Sequence, residues 1–236
     1  MTRFEDGWIA DRVVRRGGRW RYMPSSALAV RREVAQHIFP VADTLRVCAD
    51  AFVFTLAPLL TRVGHLHEPL TYYRVHGENN ISAAVYDLAS ARKVNTWVVR
   101  GIDAVNTRLA ELSLADRSLT PAHDVEFRQT EFTILLLDGT PRLRLIGEYF
   151  SLVRALAADD LYSVSQKLLG AVVYGASIPL PTSARQQWLT SSLGLSKGKR
   201  LAQAGLSAVR TMLSRASAFR AIASALIDAL VCSRWM

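Results

Sequence analysis

Apolar residues spaced as on one face of a helix dominate the chain from about residue 84 onward. They recur every three or four positions, which is the period of an amphipathic α-helix. The first run predicts a long helix whose apolar face contains Leu88, Ala91, Val94, Val98, Ile102, Val105, Leu109 and Leu112. Further helices are predicted over residues 125–137, 143–156 and 161–172, and two more near 199–213 and 217–231. We therefore expect this part of the chain to be mostly α-helical.

Turn and cap residues divide this helical region. The run Asp138-Gly139-Thr140-Pro141 has turn chemistry, and Asp159 or Asp160 is placed to cap the helix that follows. The uncharged stretch from Leu168 to Ala184 is about one residue short of a membrane-spanning helix, and glycines and prolines interrupt it. We predict a buried helix followed by a loop there, and no transmembrane segment.

The first 82 residues have a different pattern, typical of a mixed α/β region with short elements. Gly17-Gly18 is predicted to separate two extended segments. Short helices are predicted around residues 33–38 and after Asp50, the second of them bent or ended by Pro58. Strands are predicted at residues 19–23, 27–30, 63–66 and 70–75.

The net charge of +9 is concentrated at the C-terminal end of the chain. Residues 1–82 carry a net charge of +3, residues 83–184 carry −1 and residues 185–236 carry +7. These ranges are also the predicted domains: an α/β region, a helical extension and basic C-terminal helices. The basic end predicts a contact with anionic lipid or an acidic partner. The five tryptophans are dispersed, so we predict no nucleic-acid partner.

The run from Leu70 to Asn79 contains the chemistry that most suggests a binding site. On a strand, Tyr72, Arg74 and His76 share one face, with the two cation-capable groups about 7 Å apart. A guanidinium beside an imidazole suits a diphosphate and its metal ion. The alternative is a polar edge strand on which Arg74 is solvated.

Seven short segments, taken in order, resemble a known pattern. They are Pro24-Ser-Ser-Ala27, Arg31-Arg32, Pro40, Ala49-Asp50, Ala57-Pro58-Leu59, Glu68-Pro69-Leu70 and Tyr73-Arg-Val-His-Gly77 with Asn80. Together they resemble the C-terminal half of the catalytic domain of family 2 glycosyltransferases, inverting enzymes with the α/β GT-A fold. The resemblance covers residues 15–82, and the helical remainder resembles the variable extensions of such enzymes.

The resemblance implies transfer of a sugar from a nucleotide-diphosphate donor to a hydroxyl on a saccharide, lipid or protein, as in bacterial cell-envelope polysaccharide synthesis. Asp50 matches the general base, and Arg74 would neutralise the departing diphosphate. His76 matches a residue that often completes the site of a divalent cation, Mg²⁺ or Mn²⁺. Ser25 and Ser26 match a small-residue segment beside the sugar and acceptor.

Two departures from the family pattern affect these expectations. Ala27 stands where the family usually has glycine, and the chain contains no Asp-x-Asp metal motif. The fourteen residues before the resemblance cannot supply the four strands of a nucleotide-binding half. We therefore expect a truncated enzyme that is inactive by itself. The isolated Cys48 and Cys232 fit a reducing cytoplasm, with a peripheral position at the inner face of the membrane as a further option.

The competing hypothesis is a non-catalytic helical module that docks on an anionic membrane or an acidic partner through its basic C-terminus. Under this hypothesis Asp50 is an N-cap that accepts hydrogen bonds from backbone N–H groups. His65 and His67 share a predicted strand face, but the sequence favours surface histidines over a metal pair.

Overall fold

The computed structural model describes residues 4–21, 28–41, 43, 45, 49–66 and 87–193. Within these ranges there are eight α-helices: α1 (Ala10–Arg15), α2 (Arg32–Ile38), α3 (Ala49–Leu60), α4 (Leu88–Glu111), α5 (Val125–Leu137), α6 (Arg142–Ala158), α7 (Val164–Ser177) and α8 (Thr182–Leu193). Two short 3-10 segments, Ala115–Arg117 and Pro121–His123, connect α4 to α5. The chain forms two compact units, residues 1–82 with 89–131 and residues 83–88 with 132–236.

The predicted α/β fold is wrong for the described residues, which contain helices and no strand. Residues 19–21 and 28–30 were predicted to be in strands but have no regular structure. In the segment from residue 63 to 66, only an isolated antiparallel bridge forms, between Gly7 and Val63. A strand needs neighbours to pair its backbone groups, and alternation over three or four residues is too short to specify such a partner. This part of the chain is therefore not a GT-A domain, and the predicted strand at 70–75 lies outside the described residues.

Helix α3 lies in the core of the first unit, and α1 and α2 pack against it. Its apolar sequence gives buried side chains on most of its circumference, including Phe52, Phe54, Leu56 and Leu59. A helix that is apolar all round is stable only where other elements cover it. The sequence predicts that Pro58 bends or ends this helix within a turn, and the second alternative is confirmed, since α3 stops at Leu60.

Helix α4 confirms the long helix predicted from the spacing of apolar residues. Ile102, Val105 and Leu109 are buried in the core of the first unit, whereas Val94 is 41% exposed. The loop after α4 is fixed by Asn106, whose side-chain amide both donates to and accepts from the backbone of Leu119, at 2.9 and 2.7 Å.

The turn at Gly17-Gly18 follows a helix, so the prediction that it separates two extended segments is wrong. Gly17 has a φ of 63°, and a Cβ there would lie 2.6 Å from the backbone nitrogen of Asp124. Glycine is therefore required at this position both for its left-handed conformation and for the close approach of the chain before α5.

In the second unit, α6 packs on α7 and α7 packs on α8. The hydroxyl of Tyr149 on α6 donates to the carbonyl of Ala171 at 3.0 Å, and a Cβ on Gly175 would lie 2.8 Å from that hydroxyl oxygen. Helix α7 begins with a capping box formed by Ser163 and Gln166. The prediction that Asp159 or Asp160 caps this helix is therefore wrong.

The uncharged stretch forms a buried helix followed by a turn, as predicted. After α7, the buried Arg185 on α8 donates to three backbone carbonyls, those of Leu136, Ile178 and Leu180, at 2.8–3.1 Å. These bonds tie the C-terminal end of α5 and the turn after α7 to α8. No helix in the described ranges is both long enough and apolar enough to cross a membrane.

Candidate functional site

Asp50 lies in the first turn of α3 with an exposed side chain. Its Oδ1 accepts a hydrogen bond from the backbone N–H of Ala51 at 3.0 Å. Within the described residues, no hydrogen bond is found for its Oδ2. Because α3 begins at Ala49, Asp50 is inside the helix. It therefore does not occupy the N-cap position that the competing hypothesis predicts. Because its side chain is exposed, the carboxylate can meet a solvent-borne hydroxyl group.

The helix that carries Asp50 is held firmly at its centre. Pro58 has no N–H, so the carbonyl of Phe54 four residues earlier lacks its usual helical donor. The buried Trp20 supplies one, because its indole N–H donates to that carbonyl at 2.9 Å. The end of α3 is bound in a similar way by Arg117, whose guanidinium donates to the carbonyl of Leu59 and stacks on Trp8. Asp50 therefore lies in the first turn of a helix that is anchored at its centre and at its C-terminal end.

The other predicted site residues lie outside the described residues. These are Ser25, Ser26, Arg74 and His76, and Tyr72 and His67 lie there too. Their convergence on Asp50 stays a prediction. No group of three histidine, cysteine or carboxylate side chains able to hold a metal ion occurs in the part of the chain that the structure describes. Because His76, the residue that the resemblance assigns to the divalent cation, is outside these ranges, the cation stays a prediction and we derive no chemical step through it.

A small cluster fixes the chain just before residues 67–86. Gly7 and Val63 exchange two backbone hydrogen bonds, at 2.8 and 2.9 Å. Beside them, Nδ1 of His65 lies 3.0 Å from Oδ1 of Asp6, and the imidazole stacks on the ring of Phe4 at 4.4 Å between centroids. The sequence did not reveal this carboxylate partner of His65, because 59 residues separate the two.

Two networks of arginine and carboxylate groups were also missed from the sequence. Glu5 accepts two hydrogen bonds from Arg16, both at 2.9 Å, and one from the backbone N–H of Arg21 at 3.1 Å. Buried Asp124 lies 3.4 Å from Nε of Arg19 and accepts from the backbone N–H of Glu126 at 2.8 Å. Burial raises the pKa of Asp124 to about 7, against the opposing effect of Arg19. The carboxylates of both networks are largely covered by protein. We therefore interpret both networks as contacts that join elements of the fold.

Comparison with known proteins gives a distant relative. An uncharacterized glycosyltransferase from Nostoc sp. is 29% identical to this chain over 126 residues. The aligned region is 52% of this chain and 39% of that protein, so the chain spans about two fifths of the relative's length. No family model matches the chain. No solved structure matches it either. The chain is thus similar over half its length to a protein named as a glycosyltransferase.

Proposed function

We propose that this chain is the acceptor-activating part of a glycosyltransferase in which Asp50 is the general base. The observation that carries the proposal is the exposed carboxylate of Asp50 in the first turn of α3, a helix anchored further along by Trp20 and Arg117. A general base must reach the proton that it removes and must be held in place while it does so. The named activity of the distant relative supports the same class of reaction.

The proposed reaction is a single displacement with inversion, as in family 2 enzymes. A hydroxyl oxygen of the acceptor attacks the anomeric carbon, and its proton passes to the carboxylate of Asp50. The bond between the anomeric carbon and the phosphate oxygen breaks, and the nucleoside diphosphate leaves with the electron pair. Arg74 stabilises the negative charge on this leaving group, and Ser25 and Ser26 border the sugar and the acceptor.

The decisive substitution is Asp50→Asn, made in the full reading frame that encodes this chain. Turnover is measured as nucleoside diphosphate released from a panel of UDP- and GDP-sugars, and donor binding is measured by calorimetry. We expect kcat to fall by about 10² to 10⁴-fold, with the Kd for the donor changed less than about twofold. Asp43→Asn, another exposed aspartate close before α3, is the matched control and should leave kcat unchanged.

Two results would reject this assignment. Undiminished turnover in Asp50→Asn would show that another group accepts the proton. Loss of donor binding together with turnover would show that Asp50 has a structural role.

The diphosphate and cation roles need separate tests. Arg74→Gln should weaken donor binding, whereas the exposed Arg62→Gln should not. If His76 is a ligand of Mg²⁺ or Mn²⁺, His76→Ala should weaken Mn²⁺ binding measured in the presence of the nucleoside diphosphate. An unchanged Mn²⁺ affinity would remove His76 from the proposed cation site.

A further inference from the structure

Helix α6 in the second unit has apolar residues on two opposite sides. One side is buried in the core through Leu145, Tyr149, Leu152 and Leu156. On the other side, Leu143, Ile146 and Phe150 are 86%, 42% and 50% exposed. Because these three are spaced by three and four residues, they lie in one row along the helix. We call this row the outer face of α6.

Such a row is unusual for the solvent side of a helix. The side opposite the core normally carries polar residues, as on α4, where Arg92, Lys93, Thr96 and Arg100 are exposed. Contiguous exposed apolar residues on a protein surface mark a site of interaction. The outer face therefore calls for an explanation beyond the packing of the second unit.

The charges around the outer face indicate which partner it fits. Arg142 and Arg154 are exposed and lie one helical turn from Ile146 and Phe150, respectively. The guanidinium of Arg142 also donates to the backbone carbonyl of Pro179 at 3.1 Å. The only acidic residue of α6 is Glu148, which is half-buried. Arginine side chains can lay their apolar stems along a hydrophobic surface while the guanidinium groups bind phosphate. Apolar residues flanked by such cations match an anionic lipid surface in both hydrophobicity and charge.

We propose that the outer face of α6 is a docking surface for an anionic lipid bilayer. The helix lies parallel to the bilayer, with Leu143, Ile146 and Phe150 at the boundary of the acyl chains and the arginines among the lipid phosphates. A second copy of the chain fits this face less well. A twofold contact between two outer faces would bring the arginines of both copies together. The proposal does not depend on glycosyl transfer.

The test is flotation of the full chain with lipid vesicles. The parent should bind vesicles of phosphatidylcholine mixed with phosphatidylglycerol, should not bind pure phosphatidylcholine, and should dissociate as salt is added. The triple variant Leu143→Ser, Ile146→Ser, Phe150→Ser should lose about tenfold or more in partition coefficient. The matched control replaces Val164 and Leu168, exposed apolar residues of α7, with serine and should bind within about twofold of the parent.

A second pair of variants tests the charges. Arg142→Gln with Arg154→Gln should weaken binding by about fivefold for each arginine removed. Arg62→Gln with Arg100→Gln removes the same charge from exposed positions in the first unit and should change binding little. This pair separates a local effect of the outer face from a general effect of net charge.

Several outcomes would overturn the proposal. If the basic residues 185–236 alone carried the binding, the triple serine variant would bind as the parent does. Failure of the parent to bind phosphatidylglycerol vesicles would also reject it. The proposal would likewise be rejected if light scattering showed a dimer of the parent but not of the triple variant, and neither protein bound vesicles. Circular dichroism verifies that the variants fold, and Leu143→Ser alone, at the most exposed of the three positions, provides a milder substitution.

Discussion

The two units differ in the largest number of backbone carbonyls to which one side chain donates. In the first unit, each side chain donates to one carbonyl of α3: Trp20 donates to Phe54, and Arg117 donates to Leu59. In the second unit, Arg185 alone serves three carbonyls, those of Leu136, Ile178 and Leu180. Buried carbonyls need hydrogen-bond donors, so the arrangements in both units are stabilising. In the second unit, however, three carbonyls depend on one residue. This difference should be visible in how each unit responds to substitution.

The largest effect should follow from Arg185→Met, which keeps an apolar stem and removes all three donors. We expect the free energy of unfolding of the second unit to fall by about 3 kcal/mol, because three carbonyls lose a charged donor together. Hydrogen exchange followed by mass spectrometry should show faster exchange in peptides of α7 and α8 and unchanged exchange in α3. The exposed Arg154→Met is the control. Uniformly faster exchange in both units would contradict a local role.

A smaller effect should follow from Trp20→Phe, which keeps the aromatic ring and removes the indole N–H. We expect a loss of about 2 kcal/mol, because the Phe54 carbonyl has no helical donor from Pro58. In the second unit, Trp188 also donates to a helix carbonyl, that of Val173 at 2.9 Å, but the residue four positions on is Ser177, which has an N–H. Trp188→Phe should therefore cost less, as measured by urea denaturation. Equal losses would remove the special role of Pro58.

The contact of α6 with α7 gives the next prediction. Gly175→Ala should destabilise the second unit by about 1.5 kcal/mol, because the new Cβ would meet the hydroxyl group of Tyr149. Gly101→Ala on α4, where a Cβ has no atom within 4 Å, should instead stabilise the first unit by about 0.5 to 1 kcal/mol. Thermal unfolding of the two variants measures both. A stabilised Gly175→Ala would show that Tyr149 moves aside at little cost.

The last prediction is the pH dependence from Asp124 in the first unit. Its pKa is raised to about 7 from the ordinary value of 3.8, chiefly by burial. Between these values the folded state keeps a proton that the unfolded state releases, so stability falls as pH rises through this window and levels off above pH 7. Asp124→Asn should flatten the fall by about 1 kcal/mol between pH 5 and 6. The measurement is urea denaturation at several pH values.

The control for this experiment is Asp159→Asn. Asp159 accepts hydrogen bonds from the backbone N–H groups of Leu161 and Tyr162 in the second unit and is less buried than Asp124. Asp159→Asn makes the same chemical change as Asp124→Asn, in a turn of similar geometry. If both substitutions alter the pH profile equally, burial of Asp124 is not the cause.

The helical part of the fold could be predicted from the sequence, because a period of three to four residues persists over many turns. The predicted helix at 125–137 has the bounds that α5 has in the structure. The predictions of strands were wrong for the opposite reason. The alternation of apolar and polar residues covers only a few positions and carries no information about the neighbouring strand. Arg19 illustrates this, because its side chain pairs with Asp124 just before α5 and with Glu126 in the first turn of α5.

Part of the candidate site could also be predicted. The sequence placed Asp50 near the start of an apolar helix, and the structure has it in the first turn of α3. The support of that helix could not be predicted, because Trp20 and Phe54 are 34 residues apart and no local pattern joins them. Pro58 gave a partial signal, because a proline within a helix leaves a carbonyl that needs some donor.

The hydrogen bonds between Gly7 and Val63 have a practical consequence for experiments on this protein. They attach the segment around Gly7 to the residues that lead into 67–86, the segment containing Arg74 and His76. An affinity tag fused next to residues 4–7 would crowd this attachment and could alter donor binding for reasons unrelated to catalysis. Kinetic comparisons should therefore use protein from which any such tag has been cleaved.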